Sequence, residues 1–302
     1  MATTPFARAQ QDPNAIQEIV RPSVTYWADA WRRLKQSRTA MFGLCFLAFL
    51  IVVALLGPAL TPWTYSDQDL TRANLPPNRT NWFGTDDLGR DLLTRTLYGA
   101  RISLLIGLLA SFIQSSIGII YGGISGFAGG RTDNFMMRIV DILYGIPVIL
   151  FVIILMMIFG AGLINIVIAI GALYWLGMAR IVRGQILALK EQEFVLAART
   201  IGAGPWRILF RHLLPNCMGP IIVTLTLSIP GAIFTEAFLS FIGLGVSAPM
   251  ASWGTMAADS YGALRTYPWQ LLFPAGAISL TMLAFNFLGD GLRDALDPRM
   301  RK

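Results

Sequence analysis

The sequence contains few side chains that could carry out a reaction. It has a single histidine, His212, and its lysines are limited to Lys35, Lys190 and Lys302. No lysine follows a glycine, so the phosphate-binding pattern G-x-x-x-x-G-K-[ST] is absent, and one histidine cannot form the zinc pattern H-E-x-x-H. We expect His212 to be an interfacial residue rather than a catalytic one. We therefore predict that the chain is not an enzyme and has no catalytic, cofactor-binding or metal-ligating residue.

Three charged side chains lie in or beside apolar segments, where an unpaired charge is costly. Arg138 and Asp141 are three residues apart, a spacing that places both on one helical face and allows an ion pair. Glu236 lies late in an apolar run. It either lines an aqueous path or binds backbone amides near the outer surface, and we favour the second, structural role. These charges form neither the arginine ladder of a voltage sensor nor the chain of acids of a proton relay.

The composition excludes a soluble globular protein. Hydrophobic residues make up 55% of the 302 residues, charged residues make up only 14%, and the mean hydropathy is +0.58. A soluble domain carries about 25% charged residues, so this chain has too little polar surface to face water on all sides. Cys45 and Cys217 lie in or beside apolar runs and form no disulfide framework. The sequence predicts an all-α, polytopic membrane protein that contacts the lipid bilayer.

Tracts free of charged residues locate the membrane spans, each of which requires about 20 predominantly apolar residues. The tract 142–179 is interrupted at Gly160 and Gly162, so it is interpreted as most of two helices joined by a tight turn. The tract 237–258 could count as a further span, but its glycine, proline and serine content favours a loop or a short re-entrant piece. The six predicted spans are approximately 41–60, 102–127, 135–159, 163–180, 217–241 and 270–289.

The distribution of basic residues predicts the orientation of the chain. With six spans and a cytoplasmic N-terminus, 18 of the 24 Lys and Arg residues lie on the cytoplasmic side, in agreement with the positive-inside rule. A seventh span would place the basic C-terminal tail outside. Both termini are therefore expected in the cytoplasm, and the net charge of +7 reflects topology and not a nucleic-acid partner.

The chain divides at about residue 40. Residues 1–40 are predicted to form a cytoplasmic tail and an interfacial helix, and residues 41–302 the six-helix transmembrane domain. Trp27, Trp31 and Leu34 lie on one helical face beside cations, which is typical of a helix in the membrane interface. An ordinary basic flank that orients the first span is the alternative.

Glycines recur at intervals of four residues in the second span. Small residues at this spacing allow another helix to approach closely, because no side chain separates the two backbones. The pattern fits a contact with another subunit and packing within the chain equally well. The glycines are Gly118, Gly122, Gly126 and Gly130.

The cytoplasmic segment 194–215, between the fourth and fifth spans, predicts a helix, a tight turn and a second short helix. Small residues precede the glycine-containing turn, and Pro205 can open the second helix. The segment resembles the EAA loop of permease subunits of ABC importers, whose pattern is E-A-A-x3-G-x9-I-x-L-P. Leu196 and His212 replace the glutamate and the isoleucine of that pattern. The matching residues are Ala197, Ala198, Gly202, Leu214 and Pro215.

Two further stretches resemble the C-type permease subunit of the dipeptide/oligopeptide/nickel importer family. One is FGTDDLGRDLLTR at 83–95, followed by YGAR at 98–101, and the other is FNFLGDGLRDALDP at 285–298. The run MARIVRGQ at 178–185 is similar in particular to the oligopeptide branch. The resemblance extends from about residue 30 to about residue 300.

The resemblance implies a type I ABC importer permease fold and one half of a heterodimeric pore for peptides in the bacterial cytoplasmic (inner) membrane. It implies a B-type permease, two ATPase subunits that hold ATP and Mg, and an external peptide-binding protein as partners. Import of nickel or another small solute is one alternative, and a stand-alone secondary transporter, which would need inverted repeats, is another. The substrate-binding residues are unknown. The residues implied in ATPase coupling are Leu196, Ala197, Ala198, Gly202, Gly204, Pro205, His212, Leu214 and Pro215.

The external loop, residues 62–98, carries charges of both signs and is long enough to contain short elements of its own. It can therefore dock a soluble partner. A second interpretation is that Gly84-Thr85-Asp86 caps a helix running through Arg95, because Thr or Asp satisfies the free amides at a helix start. The two interpretations are compatible.

Overall fold

The structure is a computed structural model that describes residues 25–297 of the chain. Its extended regular elements in that range are helices, so the predicted all-α fold is confirmed. The predicted polar tail, residues 1–20, lies outside the described residues. The helices are α1 (Tyr26–Gln36), α2 (Arg38–Leu60), α3 (Leu92–Ala128), α4 (Gly130–Tyr144), α5 (Val148–Phe159), α6 (Leu163–Leu189), α7 (Glu193–Thr200), α8 (Pro205–Arg207), α9 (Leu214–Asn216), α10 (Met218–Phe241), α11 (Trp253–Tyr261) and α12 (Trp269–Leu296).

Among the described residues, five helices are long and apolar enough to cross a membrane, namely α2, α3, α6, α10 and α12. Helices α4 and α5 are bent by 82° at the break between them, so together they form either a sixth, broken span or a re-entrant loop. The predicted single helix over 135–159 is therefore wrong. The break contains Pro147, which has no backbone N–H and disfavours helical geometry at the residue before it. The tract 237–258 contains no span, as expected, since α11 has only 9 residues.

Two spans extend well beyond the charge-free tracts that predicted them. Helix α3 begins at Leu92 rather than near residue 102, and α6 continues to Leu189 rather than ending near residue 180. In the added part of α3, the Arg101 guanidinium donates hydrogen bonds to the carbonyl groups of Ala54 and Leu55 in α2. Because a neighbouring helix supplies such partners, the charge-free length underestimates the length of the helix.

Helix α1 is present as predicted, but the residues of its expected apolar face differ in how far they are buried. Leu34 is buried and packs near Ala40 and Ala295, which joins α1 to α12. Trp27 and Trp31 remain exposed. The placement of these tryptophans in the membrane interface stays a prediction.

Helices α3 and α6 lie in close backbone contact at the glycine ladder. A Cβ atom on Gly118 would lie 2.6 Å from the Cβ atom of Met178, and one on Gly122 would overlap the carbonyl oxygen of Ala179. The ladder thus serves packing within the chain. Gly130 does not take part, since it begins α4 and has no atom within 4 Å of its Cβ position. The ladder glycines in contact with α6 are Gly118, Gly122 and Gly126.

The contact predicts opposite effects for two Gly→Ala substitutions. Gly122→Ala should lower the thermal unfolding midpoint of the purified protein in detergent, because overpacking a fitted contact costs about 1–3 kcal/mol. The control is Gly184→Ala on α6, where the added Cβ meets nothing within 4 Å. It should leave the midpoint unchanged or raise it, since alanine favours the helix. Equal midpoints for the two variants would contradict the close contact.

Candidate functional site

Segment 194–215 folds into a helix, a tight turn and a second helical stretch, as predicted. In the turn after α7, Gly202 adopts a φ of +84°, a left-handed conformation that favours glycine. Its amide donates to the carbonyl oxygen of Arg199 at 2.9 Å and closes the turn. Pro205 then occupies the first turn of α8, where its missing N–H costs no hydrogen bond.

The second helical stretch departs from regular α-helical geometry. Residues Ile208–Leu213 form a π-helical turn directly before α9. Pro215 in α9 has no backbone N–H to continue an α-helical ladder. The buried side chains of the π turn, which face the spans, are Ile208, Leu209 and Leu213.

An apolar cluster anchors the segment to α6. Ala198, one of the predicted coupling residues, is only 5% exposed and belongs to this cluster. Packing within the chain is sufficient to require a small side chain at this position, and its predicted role in coupling stays a prediction. Cys217 lies in the same cluster and is fully buried. The α6 members of the cluster are Met178, Val182 and Ile186.

The other predicted coupling residues lie mostly at the surface. His212 and Leu214 are partly buried. A Cβ atom on Gly202 or Gly204 would have no neighbour within 4 Å. Packing within the chain therefore does not require a glycine at either position. Only at Gly202 does the backbone conformation favour glycine. The exposed members of the predicted set are Leu196, Ala197, Gly202, Gly204, Pro205 and Pro215.

The most prominent surface of the segment was missed by the sequence analysis. Ile201 is 86% exposed, Trp206 is 64% exposed and Phe210 is 52% exposed. The rings of Trp206 and Phe210 stack with centroids 5.8 Å apart. We call these three residues the apolar tip. The spacing of four between the two aromatic residues was a signal for a shared helical face, but their exposure depends on how the segment packs on α6.

A charged contact joins the C-terminal ends of α3 and α6 to the start of α4. The Arg183 guanidinium binds the Asp133 carboxylate through two hydrogen bonds, Nη2 to Oδ2 at 2.5 Å and Nε to Oδ1 at 3.0 Å. The Ser125 hydroxyl donates to the same carboxylate at 2.6 Å. Lys190, directly after α6, donates to the carbonyl oxygen of Gly126 at 3.3 Å. These bonds fix the end of α6, and thereby position the start of segment 194–215 relative to the spans.

The predicted ion pair between Arg138 and Asp141 is wrong. Asp141 instead pairs with Arg180 of α6, with an Nη2–Oδ1 distance of 2.6 Å. The Arg180 guanidinium also lies 4.1 Å from the ring centroid of Tyr144. The sequence spacing identified a shared helical face, but the facing helix α6 supplies the cation that binds this carboxylate.

Glu236 has the structural role that the sequence analysis favoured, although through side chains rather than backbone amides. Its carboxylate accepts hydrogen bonds from Ser103 at 3.2 Å and from Ser240 at 2.8 Å. The Ser103 hydroxyl in turn accepts the backbone N–H of Trp253 at 3.2 Å. The side chain is fully buried, so Glu236 joins α3, α10 and α11 rather than lining an aqueous path.

At the opposite end of the spans, the loop before α3 is organised by Asp86. Its carboxylate accepts hydrogen bonds from Arg90 Nε at 2.6 Å and from Arg95 Nη1 at 2.9 Å. Gln270 of α12 donates to the carbonyl oxygen of Thr85 at 3.1 Å and ties the loop to the last span. No group of three or more His, Cys, Asp or Glu side chains in residues 25–297 is arranged to hold a metal ion.

The predicted helix cap at Gly84-Thr85-Asp86 is wrong. Asp91 caps α3 instead, accepting hydrogen bonds from the backbone N–H and the hydroxyl of Thr94, each at 2.8 Å. The Asp86 carboxylate is already occupied by arginines, so it is not free to bind the amides at the helix start.

Two protein-family models match the chain, one over its C-terminal part and one over its N-terminal part. Residues 118–302 match the family described as binding-protein-dependent transport system inner membrane component. Residues 25–77 match the family described as the N-terminal TM domain of oligopeptide transport permease C.

Curated relatives resemble the chain over nearly its full length. The chain is 54% identical to the dipeptide transport system permease protein DppC of Bacillus subtilis (strain 168), over 98% of the chain and 93% of the relative. It is 52% identical to the oligopeptide transport system permease protein OppC of the same organism, over 98% of the chain and 97% of the relative. Identity to the OppC protein of Escherichia coli (strain K12) is 44%, over 91% of the chain and 92% of the relative.

A solved structure shares the fold. A chain of the MetNI methionine ABC transporter, in an inward-facing conformation, superposes with a TM-score of 0.53. The match covers 68% of this chain and 96% of that chain, at 18% sequence identity. The expected type I ABC importer permease fold is thereby confirmed.

Double-mutant cycles should show that Asp133 is coupled to Arg183, whereas Asp141 is not coupled to Arg138. For Asp133→Asn with Arg183→Gln, we expect a coupling energy above about 0.5 kcal/mol in the free energy of unfolding, because the pair is bidentate and Asp133 is buried. For Arg138→Gln with Asp141→Asn the coupling should be near zero. Unfolding in mixed detergent micelles provides the measurement. A larger coupling for the second pair would overturn the assignment of partners.

Proposed function

Because the chain belongs to the family of binding-protein-dependent transport system inner membrane components, we propose that it is the permease subunit of an ATP-driven peptide importer. In this proposal it forms half of the translocation pore with a B-type permease. Two cytoplasmic ATPase subunits bind and hydrolyse ATP with Mg, and an external binding protein delivers the peptide. The cytoplasmic membrane of a bacterium is the proposed location.

The choice of peptides as cargo rests on the curated relatives. These are named as dipeptide and oligopeptide permeases and are similar to nearly the whole chain. Nickel is not favoured, since the names of these relatives specify peptides. A stand-alone secondary transporter is not favoured either, because the matched family depends on a binding protein.

Segment 194–215 is the proposed coupling element, and its contact with an ATPase subunit is steric and apolar. The apolar tip supports this role because large exposed apolar side chains concentrate at partner surfaces. Leu196 stands at the position of the acid in the related pattern, so no ion pair arises there. The glycine of the turn contributes through its left-handed backbone, which keeps the two helical arms close together.

The proposed mechanism is alternating access. Closure of the ATPase subunits moves the coupling element, and the element moves α6, against which its inner face packs. The paired permeases then exchange an inward-open for an outward-open state. ATP, the binding protein and the peptide each shift this equilibrium only by the difference between their affinities for the two states.

This mechanism requires both termini and segment 194–215 on the cytoplasmic side. The excess of Lys and Arg in the corresponding segments supports that orientation. The loop over residues 62–98 then lies outside, where it is proposed to dock the binding protein.

Ile201→Glu should separate the coupling element from the ATPase. A charge at this exposed apolar site does not disturb packing within the chain, but it must be desolvated when a partner covers it. We expect ATPase affinity for the permease pair to fall by about 30-fold, the effect of losing a binding hot spot of about 2 kcal/mol. Association is measured with purified ATPase and the permease pair in lipid nanodiscs. Peptide uptake is measured in proteoliposomes.

The matched control is Leu196→Glu in the same segment. It introduces the same charge at the position where the related pattern carries an acid, so binding and uptake should remain close to the wild-type values. If Ile201→Glu retained both wild-type association and wild-type uptake, the coupling role of the apolar tip would be rejected.

A further inference from the structure

A cavity of about 200 Å³ lies at the end of the spans opposite the coupling element. It is bounded by the start of α3, by α11 and by the loop that follows α10. Arg95, one of its lining residues, is 96% buried, since its side chain retains only 4% of its exposure. The polar side chains that line the cavity are Arg90, Arg95, Ser240, Thr255 and Asp259.

The two guanidinium groups have more donors than the surrounding protein satisfies. Asp86 accepts hydrogen bonds from Arg90 Nε and Arg95 Nη1. Arg95 Nε is buried and has no hydrogen-bond partner. Asp259 lies 3.9 Å from Arg90 Nη2 and 3.5 Å from Arg95 Nη2, longer than a normal hydrogen bond. The Nη2 groups of Arg90 and Arg95 therefore have only distant carboxylates as partners, so the site favours a further acceptor.

Asp259 is the group that competes with an incoming acceptor. Its side chain is 52% exposed and forms only long ion pairs. Burial raises the pKa of this carboxyl group, the Arg90 charge lowers it, and the charges of Asp87 and Asp86 raise it further. Asp259 is therefore held weakly and can be displaced or neutralised more easily than Asp86, which is bound tightly by both arginines.

We propose that this cavity binds the carboxylate of a peptide cargo, with Arg95 Nη2 and the Nη groups of Arg90 as donors. Guanidinium groups suit this ligand because their planar N–H pairs match the two oxygens of a carboxylate. The volume admits a terminal carboxylate and a few attached atoms but not the surface of a folded protein. The inference rests on the proposed peptide cargo, and it adds a recognition site at the end of the spans opposite the coupling element.

Saturation-transfer NMR on the assembled transporter in nanodiscs tests the proposal. The probes are N-acetyl-trialanine and its C-terminal amide, which differ in the carboxylate. The acid should bind at least about tenfold more tightly than the amide, because it forms charge-assisted hydrogen bonds that the amide cannot. Equal binding of the two probes, or binding of neither, would overturn the proposal.

Uptake of trialanine by the wild-type complex is measured in parallel. Without uptake the proposed function fails, whereas uptake without preference for the acid rejects only this inference.

Asp259→Asn separates carboxylate binding from a merely structural ion pair. Removal of the competing charge should strengthen binding of N-acetyl-trialanine several-fold, whereas Arg90→Gln should abolish the preference for the acid.

Asp87→Asn is the matched control, because this exposed residue lies 3.8 Å from Arg90 but does not line the cavity. It should change binding less than Asp259→Asn. Unchanged or weaker binding in Asp259→Asn would reject the site. If that variant instead strengthened only the association of the external binding protein, the cavity would belong to a protein carboxylate and the cargo proposal would be wrong.

Discussion

The close backbone contact between α3 and α6 is the constraint on which the rest of the structure depends. Apolar side chains gain little by leaving lipid for another helix, so helices in a membrane associate through close packing and polar bonds. Gly118 and Gly122 provide the close packing, and the bonds between Asp133 and Arg183 provide the polar contact near the C-terminal end of α6. With α6 fixed in this way, its last turns form a firm base for the coupling element.

The two ends of the protein use different physical means to present a surface. At one end of the spans, apolar packing holds the proposed coupling element against α6 and leaves the apolar tip exposed. At the opposite end, Asp86 binds two arginines that also line a small cavity. The first surface suits a protein partner and the second a small anionic group.

Local sequence patterns were sufficient to locate five spans and the helix–turn–helix shape, because apolar length, glycine and proline act over a few residues. They did not predict the break between α4 and α5 or the full lengths of α3 and α6. Partners across the fold were not predictable in this way. Asp141 binds Arg180, which is 39 positions away, and not the cation on its own helix. The cap of α3 is Asp91 because Asp86 is committed to arginines, a choice made by tertiary contacts. The exposure of Ile201 likewise depends on which face of the segment packs on α6.

The central claim is that the coupling element moves with α6 as one body. Spin labels at Ile201→Cys in the element and Ile164→Cys at the far end of α6 test this in a Cys45→Ala background, since Cys217 is fully buried. Pulsed electron spin resonance measures their separation in the assembled transporter with and without ATP. The account predicts the same distance in both states, together with reduced motion of the Ile201 label when the ATPase is bound. A distance that changes with ATP would contradict rigid coupling.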